Sequence, residues 1–173
     1  VTGVQTCALP ISMQDTMKLL KGSYSVVVAH NKLGLIAFRD PNGTRPLCIG
    51  ATQDDKTKGF MIASESVAFT GSQYKYLRDI RPGECILINK NQDVFTNIVG
   101  KNTIRMPCLF EYIYFARPDS TIDGISVYKA RECMGSLLAD IIKGSFITKK
   151  TDIDVVIPVP ETSRTYAIKL AEN

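Results

Sequence analysis

The strongest constraint on what this chain can fold into is a change of period near residue 100. Between Tyr24 and Val99 apolar residues come in short, β-branched runs broken by turn residues, whereas Met134, Leu137, Leu138, Ile141 and Ile142 recur at the spacing of one helix face. Runs of the first kind pair as antiparallel sheet, because turns at such close intervals leave no room for crossover helices. The predicted strands are Tyr24–Ala29, Leu33–Phe38, Leu47–Gly50, Phe60–Ala63, Tyr76–Ile80, Cys85–Ile88 and Val94–Val99. Ahead of them Met13, Met17 and Leu20 predict the end of a helix, closed by Gly22 in a left-handed cap. Ser64, with Glu65 close behind it, is read as the cap of a short helix through Phe69, in preference to a catalytic Ser–Glu pair.

The second half reads differently. A helix with its apolar stripe over Met134–Ile142 and Gly144 as C-cap precedes Ile153–Ile157, a β-branched run of the sort found in a parallel strand covered on both faces. Thr165–Glu172 is then a second helix. The polar stretch Gly100–Thr103 marks the boundary, giving one domain over 13–102 and another over 103–173, with Cys108–Ser126 as the junction where one architecture hands over to the other.

Composition excludes several function classes. An apolar fraction of 45% with 22% charged residues is that of a chain able to bury a core. No apolar run approaches the roughly 18 residues that span a bilayer, and the net charge of +4 is dispersed rather than gathered into a stripe for nucleic acid. Neither membrane nor nucleic acid is expected as a partner. The cysteines show no Cys-x-x-Cys spacing and no nearby His, and Cys48, Cys85 and Cys133 sit in apolar segments, as reduced, buried thiols of a cytoplasmic protein do. Residues 1–12 lack charge and periodicity in Val1–Ile11, and one choice of codons for that run spells a sequencing-library adapter. They are set aside as an artefact together with Cys7, and the chain is read as a gene fragment.

Candidate site residues are few. His30, the single histidine, falls on a hairpin turn with no Ser, Cys or Asp partner, so a surface position is favoured over a catalytic base. Arg39-Asp40-Pro41-Asn42-Gly43-Thr44-Arg45-Pro46 is a turn in which Pro41 presets φ and Asn42 and Gly43 accept positive φ. A structural role is preferred there over an anion grip by Arg39 or Arg45. The run Ile153–Ile157, then Pro158-Val159-Pro160-Glu161-Thr162-Ser163, then a helix, is the strand, loop and helix order that presents backbone N–H groups and a positive dipole to anions. Glu161, Thr162 and Ser163 are therefore a phosphate-site candidate, with a plain Ser/Thr-capped connection as the alternative. The glycine-rich nucleotide fingerprints are absent.

Five motifs in register carry a resemblance: Arg-Asp-Pro-Asn-Gly-Thr-Arg-Pro-Leu (39–47), Ala-Ser-Glu-Ser-Val-Ala-Phe (63–69), Arg-Pro-Gly-Glu (81–84), Phe-Glu-Tyr-Ile-Tyr-Phe-Ala-Arg-Pro-Asp-Ser (110–120) and Val-Ile-Pro-Val-Pro-Glu-Thr-Ser (156–163). From Gly22 to Asn173 the chain resembles the amidophosphoribosyltransferases. The resemblance implies an α+β chain: the C-terminal part of an αββα (Ntn-type) class II glutaminase sandwich, followed by the first elements of an α/β type I phosphoribosyltransferase domain. It implies a reaction in which an N-terminal Cys thiolate, outside this chain, frees ammonia from glutamine, and the ammonia displaces pyrophosphate from phosphoribosylpyrophosphate (PRPP) to give 5-phosphoribosylamine, the first step of purine synthesis. By the same resemblance Glu161, Thr162 and Ser163 form the pyrophosphate loop, Tyr114 lines an ammonia channel or is a core aromatic, and Cys108 occupies a position that ligates a 4Fe-4S cluster in some members only. Mg2+ as companion of PRPP, purine nucleotides as feedback inhibitors and a homo-oligomeric whole enzyme are also implied. The fragment alone is expected to be inactive. The competing expectation is a phosphoribosyltransferase-like nucleotide-binding regulatory protein without glutaminase activity.

Overall fold

The computed structural model describes residues 12–53, 58–99, 104–144 and 153–173. Residues 1–11 of the suspected leader and the predicted boundary at Gly100–Thr103 lie outside the described residues. The chain divides into two compact units, Val1–Cys108 and Leu109–Asn173. Residues 104–108 belong with the first: the amides of Met106 and Cys108 donate to the carbonyls of Asn42 and Thr44 at 2.8 and 3.1 Å.

In the first unit, helix α1 (residues 12–19) precedes strands β1 (Ser25–His30), β2 (Gly34–Arg39), β3 (Cys48–Thr52), β4 (Phe60–Ala63), β5 (Tyr74–Asp79), β6 (Glu84–Ile88) and β7 (Val94–Ile98). They form two antiparallel sheets, ordered β1-β2-β6-β7 and β4-β3-β5. Successive side chains of a strand face opposite ways, and here both faces of β2 and β6 are covered. Ile36, Phe38, Cys85 and Leu87 pack with Met13 and Met17 of α1. Ala37, Ile86 and Ile88 pack with Leu47, Ile49 and Ile80 on the side of the second sheet. A helix, a sheet and a second sheet are thus stacked around two cores, which is why the central strands read as unbroken apolar runs. The edge strands β1 and β7 do not share this cover, and Val27, Val28, Val94 and Phe95 are exposed.

The chain leaves the first sheet after β2 and re-enters it at β6, and one buried pair of residues holds both crossings. Arg39, 1% exposed, donates to the carbonyls of Arg45, Gly43 and Ile80 at 2.7, 2.7 and 2.8 Å. Asp40, equally buried, accepts from the amides of Asn42, Thr44 and Arg45 and from the Thr44 hydroxyl. Its own carbonyl takes the amides of Gly43 and Gly83, both at 2.9 Å. Gly43 has φ +61, and a Cβ there would lie 2.7 Å from Pro82 Cγ, so only glycine fits beside the second crossing. The preferred structural reading of the 39–46 turn holds.

Several expectations for this unit need correction. The first helix stops at residue 19, so Gly22, with φ +92, lies past its end, and Leu20 is half-exposed. The short helix is a 3-10 turn, Ser66–Phe69, with Glu65 rather than Ser64 at its N-cap and no side-chain bond capping it. Cys48 and Cys85 are buried as predicted.

In the second unit, a π turn (Glu111–Phe115) leads into the small hairpin β8 (Thr121–Ile122) and β9 (Ile125–Ser126), closed by Asp123 and Gly124 at positive φ. An Asp-Gly pair is the usual two-residue hairpin signal. Helix α2 (Val127–Gly144) packs on α3 (Arg164–Glu172). The buried line of α2 is Val127, Arg131, Gly135 and Ala139, not the predicted stripe, of which Leu137, Leu138 and Ile141 are 57%, 42% and 68% exposed. The physical reason is close approach: a Cβ on Gly135 would sit 2.7 Å from the carbonyl oxygen of Tyr166, so α3 seats on the small residues and leaves the bulky ones outside. Cys133, predicted buried, is exposed by the same rotation. The predicted strand Ile153–Ile157 is not formed. Those residues are irregular, with Ile157 81% exposed, because a parallel strand exists only beside a pairing partner and the described residues give it none.

Candidate functional site

The second unit contains a cleft of about 600 Å³ whose walls include Tyr114, Arg117, Tyr128, Arg131, Glu161 and Thr162. One wall comes from the junction. The π turn places Tyr112 in the core with Ala116, Ile122 and Val127, while Tyr114, two residues on, projects outward and is 61% exposed, its ring edge-on to Phe115 at 5.8 Å. Tyr112 is therefore the core aromatic of this stretch, and Tyr114 is not.

The opposite wall is the loop before α3. Glu161 and Thr162 face the cleft, whereas Ser163 does not line it: its hydroxyl donates to the Val159 carbonyl. Ser163 stands at the N-cap of α3 with no side-chain cap bond, so the Ser/Thr-capped alternative is not realised. Thr165 and Arg164 extend this wall. The N-terminal end of a helix with polar groups around it favours anions through its dipole.

The charges on the walls are partly matched. Arg117 pairs with Asp119 at 3.0 Å, and that hydrogen bond holds the Asp119 carboxyl below the usual carboxylate range. Arg164 pairs with Glu161 at 3.1 Å across exposed side chains, a pair of the kind that contributes little and can be exchanged for a ligand anion. Arg131 is different. It is 2% exposed, and its guanidinium donates to the carbonyls of Tyr112 and Ala116 at 2.8 and 2.7 Å. Sequence reasoning missed Arg131, although a lone charge in line with Val127, Gly135 and Ala139 was a visible sign of a buried guanidinium with partners inside the fold.

Other candidates fall away. His30 is exposed at the end of β1, paired with Gly34 rather than on the turn itself, and its Nδ1 accepts the amides of Lys32 and Leu33 in the turn that follows. Burial first, and nearby carboxylates after it, push the Cys48 thiol up to about 12, and burial pushes Cys85 up to about 11. Both are protonated and unreactive at neutral pH. Cys108 is half-buried in the first unit. Among the described residues no three His, Cys, Asp or Glu side chains converge to hold a metal, so Cys108 has no co-ligands there. No described helix is long and apolar enough to cross a membrane.

No protein-family model matches the chain. In both units helix and sheet are combined as in solved PRPP amidotransferases. A structure of glutamine PRPP amidotransferase from B. subtilis, complexed with ADP and GMP, superposes with a TM-score of 0.78 at 38% identity, covering 92% of this chain and 32% of that one. A structure described as the allosteric regulatory enzyme of purine biosynthesis gives the same TM-score and identity. By sequence the chain is homologous to the amidophosphoribosyltransferases. It is 47% identical over 157 residues to that of Escherichia coli, covering 90% of this chain and 31% of the relative, and 47% identical over 165 residues to that of Saccharomyces cerevisiae, covering 92% and 32%. The chain thus spans about a third of the length of the curated relatives it matches.

Proposed function

We propose that this chain is a segment of an amidophosphoribosyltransferase, the enzyme that joins ammonia from glutamine to C1 of PRPP and opens purine synthesis. The observation that carries the reading is the cleft, which gathers Tyr114 and the loop residues Glu161 and Thr162, far apart in sequence, onto one cavity. In this reading the first unit is the end of the class II glutaminase sandwich, and its helix, sheet and sheet layers supply three of the four that such a sandwich needs. The second unit is the start of the phosphoribosyltransferase domain, and its further elements would pair with 153–157 and cover the bare stripe of α2. The regulatory-protein alternative is not favoured by the high identity to transferases.

The chemistry assigned to the cleft is substitution at C1. The nitrogen lone pair of ammonia forms the N–C1 bond as the C1–O bond breaks, pyrophosphate leaves with the electron pair, and the C1-bound ammonium so formed releases one proton to solvent to give the amine. The start of α3 and the hydroxyl of Thr162 stabilise the charge that builds on the leaving group, while Tyr114 lines the route by which ammonia reaches the cleft. Glu161 holds Arg164 in place until the phosphates take over that cation. Mg2+ accompanies PRPP as counterion of its phosphates, and neither it nor a 4Fe-4S cluster at Cys108 is given a step. Purine nucleotides are proposed as feedback ligands and a homo-oligomer as the working assembly, on the homology alone.

The loop assignment has a direct test. In the intact protein, Thr162→Ala is expected to raise the Michaelis constant for PRPP about tenfold, the loss of one hydrogen bond to a charged ligand, and to leave glutamine hydrolysis intact, while Ser163→Ala, whose hydroxyl is turned to the Val159 carbonyl, changes it less. Steady-state kinetics with varied PRPP measure this. An unchanged constant removes the loop from the site.

A further inference from the structure

The π turn that carries Tyr114 is held by residues from two different helices. Its first carbonyl, of Glu111, accepts the Ala116 amide at 2.9 Å, and the backbone then turns extended at Ala116, with φ −70 and ψ 148. The carbonyls at the C-terminal end of such a turn need donors from elsewhere. Arg131 of α2 supplies the Tyr112 and Ala116 carbonyls. Tyr166 of α3 supplies one of those between them: its hydroxyl donates to the carbonyl of Ile113 at 2.9 Å. Ile113 directly precedes Tyr114. Tyr166 in turn lies three residues past Ser163 on α3, and its backbone is seated where Gly135 has no side chain. The polar loop, the first turn of α3, the Tyr166 hydroxyl and the peptide before Tyr114 are therefore linked in one chain of contacts.

We infer that Tyr166, with Arg131 beside it, is a positioning residue that fixes the Tyr114 segment to the α3 loop, so that the nucleophile's route and the anion site keep one geometry. The Tyr166 hydroxyl does not line the cleft and takes no part in bond making. It acts through Ile113 and Tyr114, and it matters for a small nucleophile delivered along the Tyr114 wall more than for one arriving from bulk solvent. This inference rests on the amidophosphoribosyltransferase reading of the cleft.

The test compares two nitrogen sources in the intact protein. Tyr166→Phe keeps the ring and removes only the hydroxyl, which lies 2.9 Å from the Ile113 carbonyl and 3.8 Å from Met134 Sδ, and its thermal midpoint reports that the fold survives. Expected is a fall, on the order of tenfold, in the ratio of glutamine-supported to ammonia-supported pyrophosphate release from PRPP, since small misplacements of a positioning wall cost rate steeply. A ratio equal to that of wild type, whether both rates hold or both fall together, overturns the inference and leaves Tyr166 a packing residue. Tyr114→Ala in the same assay separates the two levels. If it lowers the ratio while Tyr166→Phe does not, the positioning role alone fails. If Tyr114→Ala leaves the ratio unchanged, the reading of the cleft fails, and the inference with it.

Discussion

Asp40→Ala is expected to destabilise the first unit by about 3 kcal/mol, the largest effect of any single substitution outside its apolar cores. The carboxylate is 1% exposed and accepts from Thr44 N–H at 2.9 Å, Asn42 N–H at 3.0 Å, Arg45 N–H at 3.3 Å and the Thr44 hydroxyl at 3.3 Å. Alanine strips these donors of an acceptor that is itself buried, and a donor left without a partner costs more than the bond itself contributed wherever water cannot replace it. The turn that loosens is also the one on which Arg39 fastens the Ile80 carbonyl, so both crossings between the sheets are affected. Asp40→Asn, which keeps one carbonyl oxygen and the shape, is expected to lose about half as much. Urea unfolding followed by far-ultraviolet circular dichroism measures both, and a shift under about 1 kcal/mol for alanine would contradict this account of the turn.

Arg131→Met is expected to cost the second unit roughly 3 kcal/mol, since methionine keeps the stem's packing but leaves the Tyr112 and Ala116 carbonyls without the guanidinium. The loss should be local. Amide hydrogen exchange across 111–116 is expected to accelerate, while exchange in β2 and β6 keeps its wild-type rate. Equal acceleration in both units, or none in the π turn, counts against the clip. Arg131→Lys, with a single ammonium in place of the planar fork, should recover only part of the protection.

These two residues show what the sequence made legible and what it hid. The strands of the first unit were readable because β2 and β6 bury both faces and so appear as unbroken apolar runs between strong turn residues. The 39–46 turn was readable from Pro41, Asn42 and Gly43, although nothing in the sequence said that Arg39 and Asp40 would be as buried as Ile86. The second unit was harder, because its helix packing is decided by small residues rather than large ones. Met134, Leu137, Leu138 and Ile141 made the stronger pattern, yet Gly135 and Ala139 set the contact with α3. Ile153–Ile157 has a strand's composition without a partner strand, and composition alone cannot supply one. At the site, Glu161 and Thr162 were found from the order of loop and helix, and Tyr114 through the family resemblance. Arg131 and Tyr166, which hold the Tyr114 wall, left no motif because they act on backbone carbonyls, and carbonyls carry no sequence signature.

The proposed reading commits the intact protein to spending glutamine in displacing pyrophosphate from PRPP. The most direct measurement supplies the intact protein with both substrates and counts glutamate and pyrophosphate released. Equal amounts of the two are expected, with pyrophosphate release dependent on a nitrogen source. Glutamate without pyrophosphate, or neither product, would contradict it.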